Sequence, residues 1–227
     1  MTSSQKQPAD AATLIILDRS GPLPKVLLGR RHARHVFMPG KFVFPGGRVE
    51  AADADMPVAA ALPPAVEQRL LREVEGPKKA SAFPLAAIRE TFEETGLLLG
   101  ARASPDTPPP PGVWSDFAQS GILPDLSALH FITRAITPPG FVRRFDARFF
   151  AADAEAIAHR IENIVHTDAE LVELAWVSIA EARKLDVPII TELVLEELEE
   201  RVAAGMSPQL PVPFFRLHDG NFERGLL

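Results

Sequence analysis

Arg89-Glu90-Thr91-Phe92-Glu93-Glu94-Thr95-Gly96-Leu97 is the stretch on which the reading of this chain turns. It reads as the last turns of a helix, with Gly96 placed where a left-handed cap ends one. Glu90, Glu93 and Glu94 stand at i, i+3 and i+4, so their carboxylates share a helix face. Leu85, Ile88 and Phe92 form the opposite, apolar stripe, which is expected to pack into a core. Like charges at i, i+4 cost a helix roughly 0.2–0.5 kcal/mol, and no lysine on that face offsets them. A divalent cation is the simplest compensation, since hard oxygen ligands suit Mg²⁺ or Mn²⁺. Acidic helix faces are commonly just solvated, and the decision rests on a second element upstream.

That element is Phe44-Pro45-Gly46-Gly47-Arg48-Val49, which follows a short strand expected at Lys41–Phe44. Proline interrupts a ladder, and two glycines allow backbone to approach a ligand closely. Ahead of it, Thr13–Asp18 and Lys25–Gly29 are apolar segments separated by turn residues, the pattern of a hairpin. Arg30-Arg31-His32-Ala33-Arg34-His35 comes next, a basic run in an acidic protein of net charge −6. Arginine forks match phosphate oxygens, so the run is a candidate phosphate cradle. His32 and His35 lack companions at metal-site spacing and are left out as ligands.

Bulk properties exclude several classes. The 227 residues suit one domain with room for an insertion. No apolar run approaches the ~18 residues of a membrane span, and Met1–Ala12 has the character of neither a signal nor a transit peptide. There is no cysteine, hence no disulfide or thiolate chemistry; a reducing, cytoplasmic setting is compatible with that. The acidic balance argues against broad nucleic-acid binding. The 22 prolines cluster in segments that mark loops.

Residues 1–12 are expected to be a flexible N-terminus, and 13–227 a single domain. Residues from about 54 to 84 are rich in alanine and proline, with helical spacing over Ala65–Val74, and read as a helical insertion. Pro105–Gly112 is a proline-saturated loop, with a short helix after it at Val113–Ser120. Ala128–Ile136, Arg143–Phe150 and Leu171–Val177 read as strands. Ala154–Ile164 reads as either helix or irregular. Ser178-Ile179-Ala180-Glu181 carries a capping-box signature. Thr191–Ala204 is a helix whose stripe is Ile190, Val194, Leu198 and Val202. Its glutamates at 196, 197, 199 and 200 read as a solvated face, and 207–227 as an irregular tail.

The two elements together resemble the Nudix box, G-x5-E-x7-R-E-U-x-E-E-x-G-U, with U a bulky aliphatic residue. Gly47 matches the first glycine, and Arg89, Glu90, Glu93, Glu94, Gly96 and Leu97 match the second half. Asp53 stands where the family has glutamate, and Thr91 replaces the aliphatic residue. Arg89 lies 36 residues after Asp53 instead of eight, so about 28 are inserted within the box. Nudix hydrolases with such an insertion include coenzyme A diphosphatase-like members. Leu27-Leu28-Gly29-Arg30 and Gly40 with Val43–Gly47 are similar to the coenzyme A signature ahead of the box, although that signature expects arginine near Val36 and a small polar residue near Gly29. Arg143–Phe150 and Trp176-Val177 also look like family strands.

The resemblance implies an α/β protein, a Nudix α/β/α sandwich around a central mixed β-sheet. It implies a hydrolase that cleaves the diphosphate of a nucleoside diphosphate derivative, such as coenzyme A or acyl-coenzyme A, with ADP-ribose, NADH or a non-catalytic nucleotide sensor as alternatives. Glu90, Glu93 and Glu94 would hold Mg²⁺ or Mn²⁺, with the Gly47 backbone as a further oxygen ligand. Arg89 would orient a glutamate. A general base is expected either in the box or downstream, at Glu170 or Glu173, with Asp168 and His166 nearby. Arg30, Arg31 and Arg144, with Gly46 and Gly47, are the substrate-contact candidates. The implied partner is a small nucleotide derivative, with neither nucleic acid nor membrane, and family members often form homodimers.

Overall fold

The computed structural model of the protein describes residues 7–35, 37–74, 76, 78–104, 110, 112–218 and 221–227. Val36 and most of the proline run at 105–112 lie outside the described residues. In chain order the strands and helices are β1 (Ala9–Asp18), β2 (Lys25–Arg31), β3 (Phe42–Val43), β4 (Gly46–Arg48), α1 (Pro64–Leu70), α2 (Ala82–Thr95), β5 (Leu97–Leu99), β6 (Ala101–Arg102), α3 (Ser115–Gln119), β7 (Ile122–Leu123), β8 (His130–Ile136), β9 (Phe145–Asp153), β10 (Ile157–Arg160), β11 (Leu171–Ser178), α4 (Ile179–Ala182), α5 (Ile189–Ala203), β12 (Pro213–His218) and β13 (Asn221–Leu226).

The central sheet runs β11-β2-β1-β9-β8-β12-β13, with β3 attached to β2 and β4 to β1. It is mixed: β1 lies parallel to β9, and β12 to β8, while the remaining pairs are antiparallel. The apolar run of β1 is continuous because both sheet faces are covered. Leu14 and Ile16 point to the side carrying α2, and Ile15 and Leu17 to the side carrying α5. β9 alternates likewise, Phe150 and Ala152 against Phe149 and Ala151. The result is a helix–sheet–helix sandwich.

β1 and β2 pair only at Leu17–Val26 and Asp18–Lys25, next to their turn. Beyond it the same edge of β1 takes β4 at Ala11–Thr13, while β2 takes β3 at Gly29 and Arg30. The strands therefore splay, and the Phe44-Pro45 step carries the chain across the opening to place Gly46 and Gly47 beneath α2. Pro45, which cannot donate, accepts from the Leu14 amide at 3.0 Å. α2 presents Leu85, Ile88 and Phe92 to the core and stops at Gly96, whose φ of 75° is the left-handed cap. A Cβ there would sit 2.2 Å from the Ile161 carbonyl oxygen, so only glycine fits.

Several segments depart from the sequence reading. β1 begins at Ala9, because its parallel ladder with β9 and the β4 contact extend over residues read as flexible. The segment between β4 and α2 holds a 3-10 turn at Ala51–Asp55 and one two-turn helix, α1, shorter than the expected Ala65–Val74. Met56, Leu62, Val66 and Leu70 of this segment are buried in the α2-side core. Arg134 donates to the Arg72 and Glu73 carbonyls at 2.8 and 3.1 Å, tying the end of the segment to β8. Residues 154–164 contain a 3-10 turn and then strand β10, paired with β5. The expected irregular tail forms the β12–β13 hairpin that completes the sheet. That hairpin corrects one glutamate: Glu197 is buried, because Arg224 of β13 closes over it with bonds of 2.8 and 3.0 Å.

Candidate active site

Gly46 and Gly47 of β4 face the acidic side of α2. The Gly46 amide donates to Glu94 Oε2 at 3.1 Å. A Cβ on Gly47 would lie 2.4–2.5 Å from the Glu90 carboxylate, and one on Gly46 would lie 2.5–2.7 Å from Ala12 O and Thr13. At Gly46 the neighbouring backbone leaves no room for a side chain, and at Gly47 a Cβ would have to displace the Glu90 carboxylate.

Arg89 is the hub beneath this face. Its guanidinium is almost fully buried and grips Asp53 with two bonds, Nε to Oδ1 at 2.8 Å and Nη2 to Oδ2 at 3.1 Å. Nη1 reaches Glu90 Oε1 at 2.9 Å and the Glu93 carboxylate at 3.2 and 3.3 Å, and Nη2 also donates to the Arg48 carbonyl at 2.8 Å. Burial opposes the Arg89 charge, but the Asp53 hydrogen bonds and the charges of Glu90, Asp53 and Glu93 outweigh it and raise its pKa. Asp53 is wholly buried and pairs with Arg89 although the two lie 36 positions apart in the chain. Thr91, the other departure from the box, is buried and turns its hydroxyl back to the Ala87 carbonyl at 2.7 Å.

The three glutamates differ in environment. Glu94 is buried; desolvation first, then the charges of Glu170 and Glu90, push its pKa well above the usual carboxylate range against Arg31 and the Gly46 amide. Burial likewise pushes Glu90 up to about 7, with Arg89 opposing and Glu93 and Glu170 assisting. Glu93 is the most exposed, and burial raises it while Arg89 pulls it down. Because Glu90 and Glu93 are drawn onto Arg89 and Glu94 onto the Gly46 amide, no three acidic or histidine side chains converge as a ready metal cage among the described residues. The donor set still fits a hard divalent cation. Carboxylates crowd one another in low dielectric, Arg89 and Arg31 offset them only in part, and backbone is pressed against Glu90.

The downstream candidates separate cleanly. Glu170 precedes β11 and lies close enough to Glu94 and Glu90 to raise both. Arg31 Nη2 holds its Oε1 at 2.6 Å, and His35 lies 3.3 Å from the same oxygen and 2.8 Å from Arg31 Nη2. Glu173 instead pairs with Arg30 at 2.8 Å on the half-exposed outer strand pair. Arg30 and Arg31 thus spend their charge on carboxylates, not on an open cradle. Arg144 donates to the Thr137 carbonyl at 3.0 Å, at the β8–β9 turn. A cavity of about 310 Å³ opens beside Glu170, lined by His32, Arg34, His35, Asp168, Ala169 and Glu170. A second, of about 340 Å³, lies at the other end of the box loop, beside Glu50, Lys78, Lys79 and Phe83. Arg34 belongs to the basic run read as a phosphate cradle but was not named individually as a contact, and Trp114, whose indole donates to Asp53 at 3.0 Å, was not singled out at all.

No family model matches the chain. It is similar to the acyl-coenzyme A diphosphatase NUDT19 of Homo sapiens, 34% identical over 208 residues covering 70% of this chain and 54% of that protein. The Gallus gallus protein of the same name is 29% identical over 210 residues, with 70% and 55% covered. The chain spans about half the length of these curated relatives. Among solved structures it resembles a Nudix hydrolase from Alicyclobacillus acidocaldarius, with 26% identity, a TM-score of 0.62, and 85% and 91% of the two chains covered. Nudix hydrolases generally depend on divalent metal. The chain belongs to the Nudix hydrolase superfamily.

Proposed function

We propose that the protein is a divalent-cation-dependent pyrophosphohydrolase that cleaves the diphosphate of coenzyme A or an acyl-coenzyme A, using Mg²⁺ or Mn²⁺. The observation that carries this reading is the apposition of the Gly46-Gly47 turn to the buried carboxylates of α2, with Glu170 brought to their side. The coenzyme A branch is supported by the names of the human and chicken relatives and by the Leu27–Arg30 and Gly40–Gly47 signature.

Glu90, Glu93, Glu94 and the Gly47 carbonyl would hold the cation. Bound there, it neutralises diphosphate charge and lowers the pKa of a nucleophilic water. The chain's own residues supply the rest. Asp53 and Arg48 lock Arg89, and Arg89 fixes the bases of Glu90 and Glu93. Glu170 takes the proton of the attacking water on a carboxylate oxygen, its orientation set by Arg31 Nη2. The cavity beside it offers Arg34 and two histidines to the phosphorylated end of the substrate.

Glu170→Gln and Glu173→Gln, compared on coenzyme A with Mn²⁺ at saturation, test the assignment. Loss of a general base is worth roughly 10²–10⁴ in kcat, so Glu170→Gln should fall by that order while Glu173→Gln stays near the parent. Equal effects at the two positions would remove Glu170 from the reaction.

A further inference from the structure

We infer that Trp114 is a positioning residue for the box: its indole N–H completes the cage that holds Asp53, and through Asp53 and Arg89 it sets how Glu90 and Glu93 meet the cation. Its activity readout rests on the function proposed above.

The Asp53 carboxylate is wholly buried and receives donors on both oxygens. Arg89 Nε and Trp114 Nε1 donate to Oδ1 at 2.8 and 3.0 Å. Arg89 Nη2 and the Glu50 amide donate to Oδ2 at 3.1 and 2.7 Å. Aspartate is one methylene shorter than the glutamate usual at this box position, and the indole reaches in from a separate segment, the 3-10 turn Gly112–Trp114 ahead of α3. Without it, Oδ1 would have only the guanidinium as donor, and an incompletely paired buried carboxylate is costly. The Asp53 side chain would then be free to turn and release the guanidinium plane.

Trp114 is itself fixed. It is 1% exposed and packs edge-on against Phe117, with ring centroids 5.2 Å apart, and Phe117 packs edge-on against Phe92 of α2 at 5.4 Å. The indole is thus held against the same helix whose glutamates it helps to orient. A purely packing role would use the ring faces and leave the N–H unassigned; here the N–H points at the buried carboxylate that takes two nitrogens of Arg89.

Trp114→Phe keeps an aromatic against Phe117 and deletes the donor. Partners behind metal ligands are typically worth 10–100-fold in affinity or activity. The Mn²⁺ dissociation constant, measured on the full chain by electron paramagnetic resonance without substrate, should therefore weaken roughly tenfold. kcat on coenzyme A should fall with it while KM changes little. Parental Mn²⁺ affinity and kcat in a folded Trp114→Phe protein would reduce Trp114 to packing and overturn the inference.

If that variant does not fold, the parent protein answers. It has two tryptophans, and Trp176 is 41% exposed, so Trp176→Phe assigns the indole signals in an amide-type NMR spectrum. The Trp114 indole proton should lie downfield of that of Trp176 and shift when Mg²⁺ is added; a signal unmoved by Mg²⁺ overturns the inference. Both the NMR and the Mn²⁺ measurement are independent of turnover. Positive results there, with no cleavage of any diphosphate substrate, would sink the proposed function and leave the role of Trp114 standing.

Discussion

Glu90→Gln should make the metal-free protein more stable at neutral pH, and the size follows from the site. Burial, assisted by Glu93 and Glu170, pushes the Glu90 carboxyl from 4.5 up to about 7. Its folded pKa is raised, so the proton is held more tightly in the folded chain than in the unfolded one. The associated stability is fully present below about pH 4.5 and is lost as pH climbs to 7. At ~1.4 kcal/mol per pH unit, that rise corresponds to about 3 kcal/mol. Glutamine keeps an oxygen to accept from Arg89 Nη1, now at 2.9 Å, but has nothing to deprotonate. Urea denaturation with chelator present, at pH 5, 6, 7 and 8, should show the two proteins close at pH 5 and the variant ahead by about 3 kcal/mol at pH 8. Adding Mg²⁺ should then favour the parent, since a ligand at 100 times its Kd stabilises by about 2.7 kcal/mol. A difference that stays constant across pH, or a variant weaker than the parent at pH 8, would refute the claim that Glu90 is held ionised at a cost.

Three further substitutions separate the roles of neighbouring residues. Gly47→Ala places a methyl against the Glu90 carboxylate, the movable end of a side chain, so turnover should drop at least about tenfold with melting little changed; parental turnover would mean that the close approach is incidental. Glu197→Gln breaks the pairing with half-exposed Arg224 and should lower stability by about 1 kcal/mol or less, visible in the denaturation midpoint, while Glu196→Gln moves neither stability nor turnover. Leu70→Ala in the inserted segment should cost about 2–5 kcal/mol, because Leu70 is 1% exposed; a loss confined to substrate preference would show that the segment is only a flap.

The main strands and helices were legible because both their signals are local, while their stacking into a sandwich came from the family resemblance. An apolar run such as Thr13–Leu17 bounded by turn residues, and a stripe such as Leu85–Ile88–Phe92 ending in glycine, need no knowledge of distant partners. The box was legible for the same reason within each half. What joins the halves was not: the spacing from Gly47 points to Asp53, but its bonds to Arg89, 36 positions on, are seen only in the fold, and Trp114 is found only by following Asp53 across 61 positions. The β12–β13 hairpin carries weak alternation and was read as a tail, and Glu197 was read as solvated because the residue that buries it, Arg224, belongs to that hairpin. The basic run Arg30–His35 was rightly singled out as unusual, but Arg30 and Arg31 are committed to Glu173 and Glu170. Arg34 is the arginine of that run lining the cavity.

The central claim is that this box drives cation-dependent cleavage of a diphosphate. Purified full chain, assayed on coenzyme A, acyl-coenzyme A, ADP-ribose and NADH with Mg²⁺, with Mn²⁺ and with chelator, tests it most directly. The coenzyme A substrates should be cleaved at the diphosphate into adenosine 3′,5′-bisphosphate and 4′-phosphopantetheine or its acyl form, fastest of the panel, with turnover abolished by chelator and by Glu94→Gln. Cleavage that survives chelator or Glu94→Gln, or a panel left intact under every cation, would contradict it.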